Sequence, residues 1–217
     1  MCPRNIHSGI ENPLIKNADW TLEEFKTVFN QEVLDQLSKI SFCGSFGDPI
    51  MNNDLIGMCE YIKANGGHID VRIHTNGSAR NAKWWQALAA AMPENHLIEF
   101  GIDGLSDTHH LHRVGTSFEK IIENAKTVIA AGANTSWLYI RFKHNEHQVE
   151  DARQLSQQLG FTQFLIKNTR RFSEDKFMVF DKQGKISHFL ELPSDNVVNF
   201  VSKKDLEDYT NWPNARD

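Results

Sequence analysis

Ser41-Phe42-Cys43-Gly44-Ser45-Phe46-Gly47-Asp48-Pro49-Ile50-Met51-Asn52-Asn53 leads from a short apolar run into a glycine-rich turn and on toward a helix that opens near Asp54. The run from Lys39 to Cys43 reads as a buried strand, and the turn that breaks it carries two glycines and an Asp-Pro. Gly44 and Gly47 lack the Cβ that would shield backbone N–H and C=O groups from a ligand. Pro49 forces Asp48 into an extended conformation. One carboxylate is thereby held at the C-terminal end of a strand, the end at which α/β folds bind ligands. An ordinary strand-to-helix loop, with Asn53 or Asp54 capping the next helix, is the alternative reading of the same residues.

Outward from that turn, helix and strand alternate. Thr21 and Glu24 form a capping box for a helix whose apolar face is Leu22, Phe25, Val28 and Phe29. After the turn, a helix over 55–64 stops at Gly66-Gly67, and a strand over 69–75 ends in Asn76-Gly77. A helix over 79–92 buries Trp85, Leu88 and Ala89, with Trp84-Trp85 read as helix packing. Then follow a strand over 97–102, a helix over 118–131, a strand over 136–143, a polar helix over 146–159 and a last strand over 164–167. Five strands separated by helices predict βαβ units and a parallel sheet or partial barrel.

The strands are two-sided. Ile69, Val71 and Ile73 alternate with Asp70, Arg72, His74 and Asn76; Ile98, Phe100 and Ile102 alternate with Glu99, Gly101 and Asp103; Leu138, Ile140 and Phe142 alternate with Trp137, Tyr139, Arg141 and Lys143. If the apolar sets pack on helices, the polar sets line a wet, ligand-holding interior, because so many charges need partners or water. An antiparallel sheet with one solvated face is the alternative, disfavoured by the intervening helices.

Composition bounds the function. The 217 residues are 40% hydrophobic and 24% charged, with formal net charge -5 and mean hydropathy -0.46. No run reaches the roughly 18 apolar residues of a membrane span, and the first residues have no apolar core of a signal peptide. A cytoplasmic location is expected, without membrane partners. A negative charge without a basic tract argues against nucleic acid as partner. Cys2, Cys43 and Cys59 are too few and too scattered for a disulfide framework.

In order along the chain, Cys2-Pro3-Arg4, Gly44-Ser45-Phe46-Gly47-Asp48-Pro49, Thr75-Asn76-Gly77, Gly101-Ile102-Asp103-Gly104 with Arg113-Val114-Gly115, Arg141-Phe142-Lys143-His144-Asn145 and Leu159-Gly160-Phe161 resemble the radical S-adenosylmethionine (SAM) enzymes. The resemblance covers roughly 1–168. It implies a partial (β/α)6 barrel, here lacking its first strand, followed by a small appendage over 169–217. It also implies a [4Fe–4S] cluster held by a Cys-x3-Cys-x2-Cys loop and SAM bound at the cluster's open iron. Reductive cleavage to a 5′-deoxyadenosyl radical would then abstract hydrogen from an unknown substrate, with flavodoxin or ferredoxin as electron donor.

Carried onto this sequence, the resemblance makes Cys2 the last cysteine of the cluster loop. Gly44, Ser45, Gly47, Asp48 and Pro49 match the family's Gly-Gly-Glu-Pro turn, with Asp48 and the backbone meeting the methionyl ammonium, and Asn76 belongs to the same SAM-binding set. Asp103 falls near the ribose or methionyl group and Arg113 opposite the methionyl carboxylate. Arg141 and Asn145 lie toward the adenosyl part or substrate. Only one of three cluster cysteines is present, so the chain as written is expected not to hold the cluster or to be active. A fragment of a longer enzyme is the favoured explanation, and a degenerate barrel binding a small nucleoside-like or anionic ligand without catalysis is the other.

Remaining features receive plainer readings. Thr108-His109-His110-Leu111-His112 lacks the further ligands of a zinc site and reads as a solvated loop leading into Arg113. Glu99 and Asp103, about 13 Å apart along one strand, are too distant for a paired acid and base, and ion pairs with Arg141 or Lys143 are expected instead. Cys59 reads as a small buried hydrophobe. Phe177–Phe180 and Lys185–Leu192 around Asp181-Lys182-Gln183-Gly184 give a hairpin signal, and a tail with Leu206, Tyr209 and Trp212 follows.

Overall fold

The computed structural model describes residues 5–6, 10–11, 14, 18–44, 47–169, 176–181 and 183–195. In chain order the elements are β1 (Asn5–Ile6), β2 (Ile10–Glu11), α1 (Leu22–Val28), α2 (Gln31–Leu34), β3 (Lys39–Phe42), a 3₁₀ turn (Pro49–Met51), α3 (Leu55–Asn65), β4 (Asp70–Thr75), α4 (Ala82–Ala91), β5 (His96–Gly101), α5 (His109–His112), α6 (Phe118–Ala130), β6 (Thr135–Arg141), a 3₁₀ turn (Glu146–Gln148), α7 (Val149–Leu159), β7 (Gln163–Asn168), β8 (Lys176–Phe180) and β9 (Ile186–Glu191). One five-stranded sheet has the order β3-β4-β5-β6-β7. The pairs β3–β4, β4–β5 and β6–β7 are parallel, as the helical crossovers require. The antiparallel alternative is thereby excluded, and the α/β alternation is the one expected. β1 and β2 form a small antiparallel pair, as do β8 and β9.

The chain divides into two compact units. The first to be described comprises Pro13–Phe100 and Glu119–Thr135. Its α1 starts with the anticipated capping box: Thr21 N–H donates to the Glu24 carboxylate, and Thr21 Oγ1 accepts from Glu24 N–H. Phe25 is the buried anchor of α1, packed on Phe29, Phe42 and Tyr61, whereas Val28 is half exposed rather than part of the apolar face. Leu55, Met58, Cys59 and Ile62 bury the inner stripe of α3. Trp85 of α4 is fully buried against Phe100, with its indole N–H donated to the Ala79 carbonyl. The pairing of a hydrogen bond with a large apolar area explains why this position takes Trp.

The second unit comprises Met1–Asn12, Gly101–Phe118 and Ser136–Asp217. Here the expected face assignment of β6 is reversed. Trp137 and Tyr139, members of the alternate set expected on the wet side, are both fully buried. Trp137 packs on Phe161 and Phe164, Tyr139 packs on Phe164, and the Arg153 guanidinium of α7 lies 5.0 Å from the Phe164 ring centroid. Aromatic rings with one polar atom are apolar over most of their area, so they compete for the helix-covered face. Ile140, from the other set, joins Leu111 and Phe177 around the buried cluster of Phe142, Val179 and Leu190. The predicted hairpin is present as β8–β9. Asp181 Oδ1 accepts from Gln183 and Lys185 N–H in its turn, and His188 Nε2 donates to the Leu111 carbonyl. The tail residues Leu206, Tyr209 and Trp212 lie outside the described residues.

Trp85→Ala removes the largest buried side chain of α4 and its indole donor. A loss of about 3–5 kcal/mol is expected from cavity formation in a packed core. Urea denaturation would register it as a lower midpoint with an unchanged slope.

Candidate functional site

In the first unit, the turn after β3 and the loop after β4 are fastened to each other by one side chain. Asp48 Oδ1 accepts from Ile50 N–H at 3.2 Å, capping the 3₁₀ turn, and Oδ2 accepts from Asn76 N–H at 2.7 Å. A Cβ built on Gly44 would collide with the Gly47 carbonyl oxygen, so the turn closes only over glycine. Gly44, Gly47, Asp48, Pro49 and Asn76 are thus brought together; Ser45 lies outside the described residues. The expected helix cap is reassigned. Asp54 makes no side-chain cap to α3 and instead accepts from Leu22 N–H at the start of α1.

The loop after β4 is itself fixed from behind. Asn76 Oδ1 accepts from both the N–H and the hydroxyl of Ser78. Asn124 of α6, 1% exposed, donates its amide to the Gly77 and Ala79 carbonyls. Gly77 has φ +70°, and a Cβ there would come within 2.6 Å of the Phe100 ring.

On the same alternate set of β4 and β5, His74 and Glu99 stand opposite each other in register. His74 Nδ1–H donates to Glu99 Oε1 at 2.7 Å, and Arg72 pairs with Asp70 at 2.9 Å. The expected partners for Glu99 are therefore replaced. Arg141 instead pairs with Asp195 and reaches Asn168, and Lys143 pairs with Glu191.

In the second unit, Asp103 is wholly buried and supplied with donors on both oxygens. Arg113 Nε and His112 Nδ1 donate to Oδ2, each at 2.6 Å, and Ile140 N–H donates to Oδ1 at 2.7 Å. Burial by itself would raise the pKa of this carboxyl. The Arg113 charge and the donors from His112 and Ile140 outweigh it and hold Asp103 well below the usual carboxylate range. The Arg113 guanidinium lies over Gly101, where any Cβ would strike it. Asn145 is also consumed internally: it accepts from Phe142 N–H and donates to the Asp103 and Ile140 carbonyls.

The histidine-rich stretch is not a solvated loop. It forms α5, and His109 is fully buried. Asp103 N–H donates to His109 Nδ1, which must therefore be unprotonated, while Nε2–H donates to Thr116 Oγ1. Burial holds the imidazole down at about 4, consistent with that neutral tautomer. Burial likewise lowers His112.

Asn124 is a contributor that no motif flags, and His112 belongs to a stretch read as solvated loop. Asn124 did leave a trace, a polar residue in the apolar stripe Ile121, Ala125 and Val128 of α6. Among the cysteines, Cys43 is exposed and Cys59 buried, its thiol pushed up to about 12 chiefly by burial. Cys2 lies outside the described residues. Among the described residues no group of three His, Cys, Asp or Glu side chains could hold a metal ion, and no helix is long and apolar enough to cross a membrane.

The profile of the Radical SAM superfamily matches residues 6–155, more than half of the sequence. The chain belongs to the radical SAM superfamily. Solved structures that it resembles include Streptococcus suis SuiB bound to S-adenosylmethionine, with TM-score 0.62 and 14% identity over 74% of this chain and 36% of SuiB. They include anSMEcpe with bound AdoMet, with TM-score 0.58 and 14% identity over 77% of this chain and 48% of that one. Archaeal TYW1 is also similar, with TM-score 0.52 and 10% identity over 82% and 73%. The radical SAM chain thus spans between a third and a half of the length of SuiB and anSMEcpe. No curated protein matches it.

For this radical SAM fold the buried imidazole sets an acid limit. His109 sits at about 4 in the fold against an ordinary 6.5, so on acidification the unfolded chain takes up the proton first. Its contribution to stability is complete above 6.5 and lost as pH falls toward 4. Urea midpoints should decline across that interval. In His109→Asn, which keeps an acceptor for Asp103 N–H but binds no proton, the decline should be shallower. An unchanged slope would assign the acid sensitivity to other groups.

Proposed function

We propose that the turn from Gly44 to Pro49, with Asn76, is the SAM-binding element of a radical SAM enzyme, and that Asp48 receives the methionyl ammonium. The observation that carries this reading is the Asp48 carboxylate, fixed by Ile50 and Asn76 N–H groups at the C-terminal ends of β3 and β4 in a chain of this superfamily. A carboxylate beside an exposed glycine backbone suits a primary ammonium, which needs acceptors and a negative charge. Within the other unit, Asp103 holds the Arg113 guanidinium, a group suited to a carboxylate such as the methionyl one. Arg141 is proposed toward the adenosyl or substrate side. SAM held there would, on one-electron reduction, break its C5′–S bond to give methionine and a 5′-deoxyadenosyl radical for hydrogen abstraction, with a flavodoxin or ferredoxin as the electron source.

The described residues do not fit a [4Fe–4S] cluster, which needs thiolate ligands. Cys59 is buried with a raised thiol pKa, and among the described residues Cys43 belongs to no group of three side chains that could hold a metal. That observation favours a second reading, in which the chain binds a small nucleoside-like ligand without radical chemistry.

Asp48→Asn weighs these roles against turn structure: it removes the carboxylate charge and, because an amide nitrogen cannot accept, gives up one of the two contacts from Ile50 and Asn76 N–H. Removing one charge-assisted hydrogen bond, worth roughly 1.5–3 kcal/mol, should weaken SAM by about one to two decades in calorimetric titration. Loss of affinity with little change in melting temperature supports the proposal. Unchanged affinity with a lower melting temperature would reduce Asp48 to a capping residue, and adenosine binding as tightly as SAM would select the second reading.

A further inference from the structure

Arg80 has φ +71°, the only non-glycine residue with positive φ among those described. Side chains with a Cβ avoid that region unless their surroundings over-determine it. Here the over-determination comes from its own guanidinium. Nε donates to the Ile50 carbonyl at 2.6 Å, and Nη2 donates to the Met51 carbonyl at 2.8 Å, the Asn52 carbonyl at 3.2 Å and Asn53 Oδ1 at 3.1 Å. The guanidinium carbon also lies 5.2 Å from the Trp84 ring centroid, an attraction available to a cation over an aromatic face.

Those carbonyls are the ones that a single 3₁₀ turn leaves without partners inside itself. A planar fork of N–H donors can reach several of them together, which the compact ammonium of lysine does less well. Asn76, at the other end of the same loop, donates its N–H to Asp48. Residues 76–80 therefore grip the turn over 48–53 at both ends, while Asn124 holds the middle of the gripping segment through Gly77 and Ala79. A strained backbone at one end and a carboxylate contact at the other are more than the packing of a surface loop needs.

We infer that Arg80 is a positioning residue: it sets the conformation of the turn over 48–53 and, through Asp48, the affinity for SAM. The effect on SAM rests on the function proposed above, whereas the effect on the turn does not.

Arg80→Gly deletes the fork and accepts the left-handed backbone without strain, so loss of the contacts is not confounded with a new steric clash. Amide exchange followed by NMR should show Ile50, Met51 and Asn52 exchanging at least about tenfold faster than in the wild type, with β4 and β5 unchanged. Calorimetry should show SAM binding about tenfold weaker, with low-millimolar guanidinium ion restoring part of the affinity in Arg80→Gly and none in Asp48→Asn. Arg80→Lys should fall between wild type and Arg80→Gly in both measurements. Wild-type exchange at the turn in Arg80→Gly would overturn the inference, as would acceleration spread evenly over the unit. A wild-type chain that binds no SAM would remove the proposed function, and the exchange comparison would still decide the role of Arg80.

Discussion

A charged side chain on a parallel sheet survives only with a partner, and that constraint organises both units of this protein. Asp48 divides its two oxygens between the N–H groups of Ile50 and Asn76. Glu99 takes the Nδ1–H of His74, and Asp70 takes Arg72. Asp103, wholly buried, takes Arg113, His112 and a backbone N–H. Leaving such a carboxylate unpaired would cost several kcal/mol, so the loops that deliver the donors are fixed as firmly as the strands. The polar positions are in this sense part of the scaffold, oriented by protein contacts alone.

Much of this was legible in the sequence because it depends on local rules. Alternation of strands and helices, the capping box at Thr21, the stops at Gly66 and Gly160 and the hairpin around Asp181 follow from periodicity and turn chemistry, and each is present. The parallel pairing followed from the length of the crossovers. Asp48 was identifiable because proline and glycine surround it.

What was not legible depends on distant partners. Nothing in Thr108–His112 announces that His109 will be buried by its contacts with Asp103 N–H and Thr116; polarity alone favours solvent, and tertiary context overrides it. The two faces of β6 were exchanged for a related reason. Trp137 and Tyr139 each carry a polar atom on a ring that is mostly apolar area, and their indole and phenol groups find carbonyls at Ile102 and Asn145. Arg80 is invisible in any pattern, since its conformation follows from four acceptors some thirty residues earlier in the chain.

The discontinuity of the first unit bears on how the protein is made. Its chain leaves after Phe100 and returns only at Glu119, and the returning helix carries Asn124, the side chain that secures the Gly77 and Ala79 carbonyls. Synthesis runs from the N-terminus, and nascent segments fold as their partners emerge. On the ribosome, β3, β4 and β5 therefore appear before the amide that locks the loop after β4. The last tie on the loop after β4 thus waits for translation of α6, and that loop is among the last parts of the unit to reach its final form.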